Sequence, residues 1–205
     1  AANIQKIREG GFNGEPHEAE GGAAVVIDVN TGEVLAMASN PDYEPALFYN
    51  GISNEKYSEY RDNPYHPLSS KALQGAYPPG STFKMITAIA ALETGTTNTT
   101  ERINDNGPFY GITTGNTKPP ACWYYNDYGR GHGPLNVSQA IQKSCNYFFF
   151  TVSTKMGIDN LVKYGKYFGL GSKTGIEITG ENKGVLASRE VAQEQNQVWS
   201  AAQTA

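Results

Sequence analysis

The sequence predicts an α+β fold with an antiparallel sheet flanked by helices on both faces. Two apolar runs, residues 23–29 and 33–39 in "GGAAVVIDVNTGEVLAMASNPDY", flank Asn-Thr-Gly, and Gly32 can take the positive φ that a short hairpin turn demands. Both runs are nearly continuous in apolar residues, which predicts strands covered on both faces. After "AYPPGS" an apolar run places Phe83, Ile86 and Ala90 on one helical stripe with Met85, Ile89 and Leu92 beside it. Such a helix is apolar nearly all round and is expected to run through the core, with its stop at Gly95. Helical runs then follow at "VSQAIQKS", capped by Asn136, at "YFFFTVSTKM", ended by Gly157, and at "NLVKYGKYF", capped by Asp159 and closed by Gly169.

Between these elements, residues 44–70 are polar and aromatic and read as a surface segment with one short helix near 54–60. Residues 96–133 carry no helical or alternating period, and a loop this long inside a compact domain is usually functional. A chain of 205 residues suits one sizeable core, read here as a lead-in over 1–21 and one unit over 22–205. After Glu181 the signals weaken, and "VWSAAQTA" ends without a terminating element.

Composition narrows the function classes. With 39% hydrophobic and 18% charged residues the chain is globular, and a net charge of −4 with scattered Lys and Arg gives no basic stripe for nucleic acid. The longest apolar stretches fall far short of the roughly 20 residues that cross a bilayer. Cys122 and Cys145 form no C-x-x-C and have no ligand-spaced His, so neither a zinc site nor any cofactor is expected; a disulfide and two free thiols both stay open.

The chemistry concentrates in "PPGSTFK". Serine is a poor nucleophile until a base reaches its hydroxyl, and residues i and i+3 of a helix are neighbours, so Ser81 and Lys84 are spaced for that task. An N-cap role would explain Ser81 but not Lys84: a capping box has Glu or Gln at that position, and a lysine there faces the positive end of the helix dipole. Dipole and burial both favour the neutral amine that a base must be. A second S-x-x-K, Ser53 to Lys56, lacks the rigid lead-in and the apolar run, and reads as a solvated surface turn. "SCN", Ser144 to Asn146, falls at a helix junction, where the hydroxyl can relay a proton and the amide can orient a lysine or hold a substrate carbonyl. His17, His66 and His132 have no evident Ser or Asp partners, which disfavours a Ser-His-Asp triad.

"GAYPPGSTFKMITAIAALE", "GHGPLNVSQAIQKSCNYFF" and "YFGLGSKTGIEITGE", with the hairpin before them, together resemble the transpeptidase domain of class B penicillin-binding proteins. The resemblance runs from Gly22 to about Glu181 and implies a β-lactamase/DD-peptidase-like fold of which this chain holds the N-terminal part. It implies Ser81 as the acylated nucleophile, Lys84 as its base, Ser144 and Asn146 as the second-motif pair, and the Ser81 N–H as half of an oxyanion hole. Peptidoglycan stem peptides, β-lactam antibiotics, and the glycosyltransferase and morphogenesis proteins of cell-wall synthesis are the implied partners, at the extracytoplasmic face of a bacterial membrane. A β-lactam sensor domain or a serine β-lactamase-like hydrolase is the alternative. The family's third motif, K-[ST]-G on a strand, is not assigned to Lys173–Gly175, which follows a helix stop; Lys173 is expected in a loop and the true motif beyond Ala205. With only the first hairpin of the sheet, the isolated chain is expected to be impaired and to self-associate through its open edge.

Overall fold

The computed structural model describes residues 2–11, 14, 16, 18–112 and 118–197. His17 and the segment 198–205 lie outside the described residues. The chain divides into two compact units, Ala1–Ala76 with Ile176–Asn182, and Tyr77–Gly175 with Lys183–Ala205.

The first unit opens with α1 (Ala2–Arg8) and then the expected hairpin, β1 (Gly22–Ile27) with β2 (Val34–Asn40). The strands are antiparallel, with Gly22 opposite Asn40 and Val26 opposite Ala36, and a bulge follows Val26. Its turn is an Asp-Asn-Thr-Gly unit: the Asp28 carboxylate accepts the N–H groups of Asn30 at 2.7 Å and Thr31 at 3.2 Å, and Gly32 has φ 78°. The same backbone bonds hold the Asp28 pKa below its ordinary value.

Contrary to the reading of strands covered on both faces, Val26 is 53% and Leu35 63% exposed. Among the described residues each strand pairs only with the other. Then come α2 (Ala46–Tyr49), α3 (Asn54–Arg61) and α4 (Lys71–Gln74). The last meets the hairpin where the Ala72 N–H donates to Ser39 Oγ at 3.3 Å. The second S-x-x-K is a helix start, as its surroundings suggested: Ser53 caps α3 by accepting the Lys56 N–H, and Lys56 pairs with Glu59 at 2.6 Å on the surface.

The second unit begins with a 3₁₀ turn (Gly80–Phe83) that runs directly into α5 (Lys84–Glu93). There follow β3 (Ile103–Asp105), α6 (Trp123–Tyr128), β4 (Gly133–Leu135), α7 (Val137–Gln142), α8 (Asn146–Met156), α9 (Ile158–Tyr167) and α10 (Arg189–Glu194). The segment read as a periodless loop thus contains a strand paired with β4 and a short helix, both too brief to leave a periodic signal.

Asn136 caps α7 in a full capping box with Gln139, as expected. Gly157, not Asp159, stands at the N-cap of α9; Asp159 lies in the first turn, where its charge still suits the dipole. The core is built on α5, α7, α8 and α9, with Ala90, Ala91, Ala140, Cys145 and Val152 wholly buried and Phe148 1% exposed. Small residues let α5 approach α8 and α9 closely, while Met85 and Ile89 remain exposed at 59% and 39%; α5 is buried on one face rather than all round.

Candidate active site

Ser81 and Lys84 meet because the turn that carries the serine is 3₁₀. With three residues per turn, positions i and i+3 eclipse, and Lys84 is already the first residue of α5. Pro79 fixes its own φ, and Gly80 takes φ 57°, which an L side chain would resist, so "PPGS" sets the entry angle. Lys84 Nζ donates to Ser81 Oγ at 3.2 Å. The helix-cap reading of Ser81 is corrected: no side-chain capping bond forms at either helix start, and the Ser81 hydroxyl faces Lys84 and Ser144 instead.

The second motif arrives at the junction of α7 and α8. Ser144 has φ 48°, a left-handed conformation that costs a non-glycine residue about 1–2 kcal/mol, and Asn146 opens α8. Cys145 between them is fully buried, so its neighbours face the other way, toward Lys84. Lys84 Nζ reaches Asn146 Oδ1 at 2.5 Å, the Ser144 carbonyl at 2.9 Å and Ser144 Oγ at 3.0 Å, while the Ser144 hydroxyl donates to Ser81 Oγ at 2.9 Å. All four residues singled out in the sequence therefore converge on one point.

A proton count gives this arrangement its chemical meaning. Four oxygens surround Lys84 Nζ, one more than an ammonium has protons. As a neutral amine, Lys84 can donate to the Asn146 and Ser144 carbonyl oxygens and accept from a serine hydroxyl, directly from Ser81 or through Ser144. Burial favours that form by pushing the Lys84 pKa below its ordinary value, against an opposing pull from Cys122 and Cys145. Ser81 itself is exposed.

Behind the second motif lies a cluster that the sequence reading missed. One donor atom each from Asp105, Cys122, His132 and Cys145 lies within 4.8 Å of the others. The expectation of no ligand-spaced histidine is corrected: His132 Nδ1 is 3.0 Å from Asp105 Oδ2 and 3.5 Å from Cys122 Sγ. Both cysteines are free thiols.

Burial would raise the Asp105 pKa, but N–H groups of His132 and Gly107 and the His132 and Cys145 side chains hold it below its ordinary value. Burial pushes the Cys145 thiol far up. Two sulfurs, an imidazole and a carboxylate form the donor set that a tetrahedral zinc ion takes, and these are the residues that could hold one. The donors come from β3, the start of α6, the approach to β4 and the α7–α8 junction, so no compact ligand spacing announces them. The only signal in the sequence was that two cysteines and a histidine fall in or just after the aperiodic segment.

The family profile described as "Penicillin binding protein transpeptidase domain" matches residues 22–202. The chain belongs to this penicillin-binding protein transpeptidase family. Peptidoglycan D,D-transpeptidase MrdA of Acinetobacter baumannii is 38% identical over 82% of the chain and 24% of its own length, and MrdA of Escherichia coli is 39% identical over 82% and 26%. Among solved structures, Pseudomonas aeruginosa PBP2 in complex with WCK 5153 superposes with a TM-score of 0.80 at 35% identity, covering 100% of this chain and 44% of that one. Helicobacter pylori PBP2 in complex with MreC gives 0.79 at 29% identity, over 98% and 36%. The chain thus spans about a quarter of the curated relatives' length. The likeness establishes the α+β, β-lactamase/DD-peptidase-like fold of the penicillin-binding family. Lys173 lies in a loop after α9, as expected.

Proposed function

We propose that this chain carries the nucleophile and second motif of a serine-type peptidoglycan D,D-transpeptidase. The observation that carries the reading is the convergence of Ser81 Oγ, Ser144 Oγ and Asn146 Oδ1 on Lys84 Nζ. Ser81 attacks the carbonyl of a terminal D-Ala-D-Ala peptide bond, and its proton passes to neutral Lys84 either directly or through the Ser144 hydroxyl. Collapse of the tetrahedral intermediate returns that proton to the departing D-Ala amine and leaves the peptide acylated on Ser81. An amine of a neighbouring stem peptide then attacks the ester and passes its proton along the same path to the departing Ser81 oxygen, so that the ester breaks, the cross-link forms and the serine hydroxyl is restored. Asn146 holds Lys84 in place through both steps.

β-Lactams acylate the same serine because their strained amide presents an equivalent carbonyl. The family likeness supports assigning this work to the extracytoplasmic face of a bacterial membrane. Glycosyltransferase and morphogenesis partners are inferred from relatives solved with MreC and in a peptidoglycan synthase complex. The hairpin edge is proposed to pair with a second copy of this chain.

The test is fluorescent penicillin labelling of the full-length protein. Labelling is expected at Ser81 and is lost in Ser81→Ala; label that persists in that variant refutes the assignment. Slow release of the label separates a transpeptidase from a hydrolase, whose turnover would free it rapidly.

A further inference from the structure

We infer that Trp123 is a positioning residue for the second motif, acting through the Lys143–Ser144 peptide; this rests on the function proposed above. Ser144 is held in a left-handed conformation that its side chain does not favour, so its surroundings must keep it there. Two backbone bonds close the end of α7 beneath it: the Ser144 N–H donates to the Ile141 carbonyl at 3.0 Å, and the Cys145 N–H to the Ala140 carbonyl at 2.9 Å. These fix the amides of the turn but leave the Lys143 carbonyl, one of the last of α7, without a partner inside the helix.

The Trp123 indole Nε1–H supplies that partner at 3.1 Å. The bond grips the peptide plane that joins Lys143 to Ser144, and rotation of that plane changes the Ser144 φ together with the Lys143 ψ. Ser144 in turn offers Lys84 both its carbonyl and its hydroxyl, so a tilt at this peptide changes two of the four contacts around the base. Trp123 is suited to the task because it opens α6 directly after a fully buried Cys122 and because the indole is braced edge-on by His132 and Tyr124, with ring centroids 5.7 and 5.6 Å away. Trp123, His132 and Lys143 share the lining of one open cavity of about 420 Å³.

Trp123→Phe in the full-length protein keeps the ring and deletes the donor. One neutral hydrogen bond at a site 41% exposed is worth about a fivefold effect. The penicillin acylation rate constant is expected to fall about fivefold while the apparent binding constant for the antibiotic stays unchanged, with the thermal midpoint within about 3 °C of wild type. In a Ser144→Ala background the same substitution is expected to lose most of its effect, because the hydroxyl it positions is gone. Hydrogen exchange gives a readout independent of acylation: the Ser144 and Cys145 amides exchange about fivefold faster in Trp123→Phe. Unchanged acylation in a labelled protein, an equal loss in the Ser144→Ala background, or unchanged exchange at these amides overturns the inference. Wild-type protein that takes no label refutes the transpeptidase reading instead, and the exchange measurement then decides the Trp123 tie by itself.

Discussion

Asn146→Ala is the sharpest probe of how Lys84 is held. The substitution removes the shortest of four contacts to Lys84 Nζ, the 2.5 Å bond from the lysine to Asn146 Oδ1, and leaves the Ser144 carbonyl at 2.9 Å and the two serine hydroxyls in place. In the resting site the bond is made by an amine or an ammonium. In the transition state of the proposed acylation, where Lys84 takes the proton of Ser81, it is made by a cation. A hydrogen bond to a charged group is worth about 1.5–3 kcal/mol, so losing the share realised only as charge develops slows acylation by at most roughly 10- to 150-fold.

The assay is the second-order rate of Ser81 acylation by fluorescent penicillin, followed in gels with the labelled peptide identified by mass. Because Asn146 is the first residue of α8 and only its side chain is removed, the fold is expected to persist. Acylation within twofold of wild type would show that Asn146 does not orient the base. Ser53→Ala, in the second S-x-x-K, removes only a surface helix cap and is expected to leave acylation unchanged.

The acylation rate is expected to rise with pH and level off below the ordinary lysine value of 10.5, because burial holds the Lys84 pKa down; a plateau only above that value contradicts a neutral Lys84. The same shift has a stability sign: the unfolded chain binds this proton more tightly, so Lys84 costs stability below its folded pKa and the cost fades as pH rises through its unfolded one, measurable as an upward slope in chemical-denaturation stability. Zinc is expected to raise the thermal midpoint of chelator-treated protein, and Cys145→Ser to abolish most of that rise; no shift with zinc argues against metal at the four-donor cluster. Gly131→Ala would drive a Cβ into the Asp105 carbonyl oxygen and is expected to cost about 1–3 kcal/mol or more by denaturant titration. Phe148→Ala, deep in the core at 1% exposure, is expected to cost about 3–5 kcal/mol by the same measurement.

What the sequence revealed and what it hid divide along physical lines. The hairpin, the cap at Asn136 and the stops at Gly95 and Gly157 rest on local chemistry, in which a turn or a helix end demands a particular residue, and all are present. Ser81 and Lys84 were legible because their spacing is one helical turn. Their connection to Ser144 and Asn146 was reached through family resemblance, since no local rule links residues 60 positions apart. The burial of the hairpin was misread because an apolar run reports what a strand is suited to contact, not what lies against it within these residues. The four-donor cluster was invisible for a related reason: each of its members sits on a different short element, and only the folded chain brings Asp105 to His132.

The three residues of "SCN" show how one short junction serves stability and chemistry together. A chain leaving α7 in a left-handed turn sends successive side chains in opposing directions, so Ser144 and Asn146 reach Lys84 while Cys145 turns into the core against α7 and α8. The buried middle residue anchors the motif, and its thiol donates to Asp105 Oδ2 at 3.3 Å, which ties the junction to β3 and hence to His132. The strain at Ser144 is therefore offset on three sides: by the closing bonds of α7, by the Trp123 indole, and by the buried thiol. A lone serine on a flexible loop could visit the same geometry, but it would lose conformational entropy each time Lys84 needed it. Here that ordering is done during folding, before any substrate arrives, and Lys84, the base of the proposed mechanism, is already surrounded by the oxygens that would share its proton.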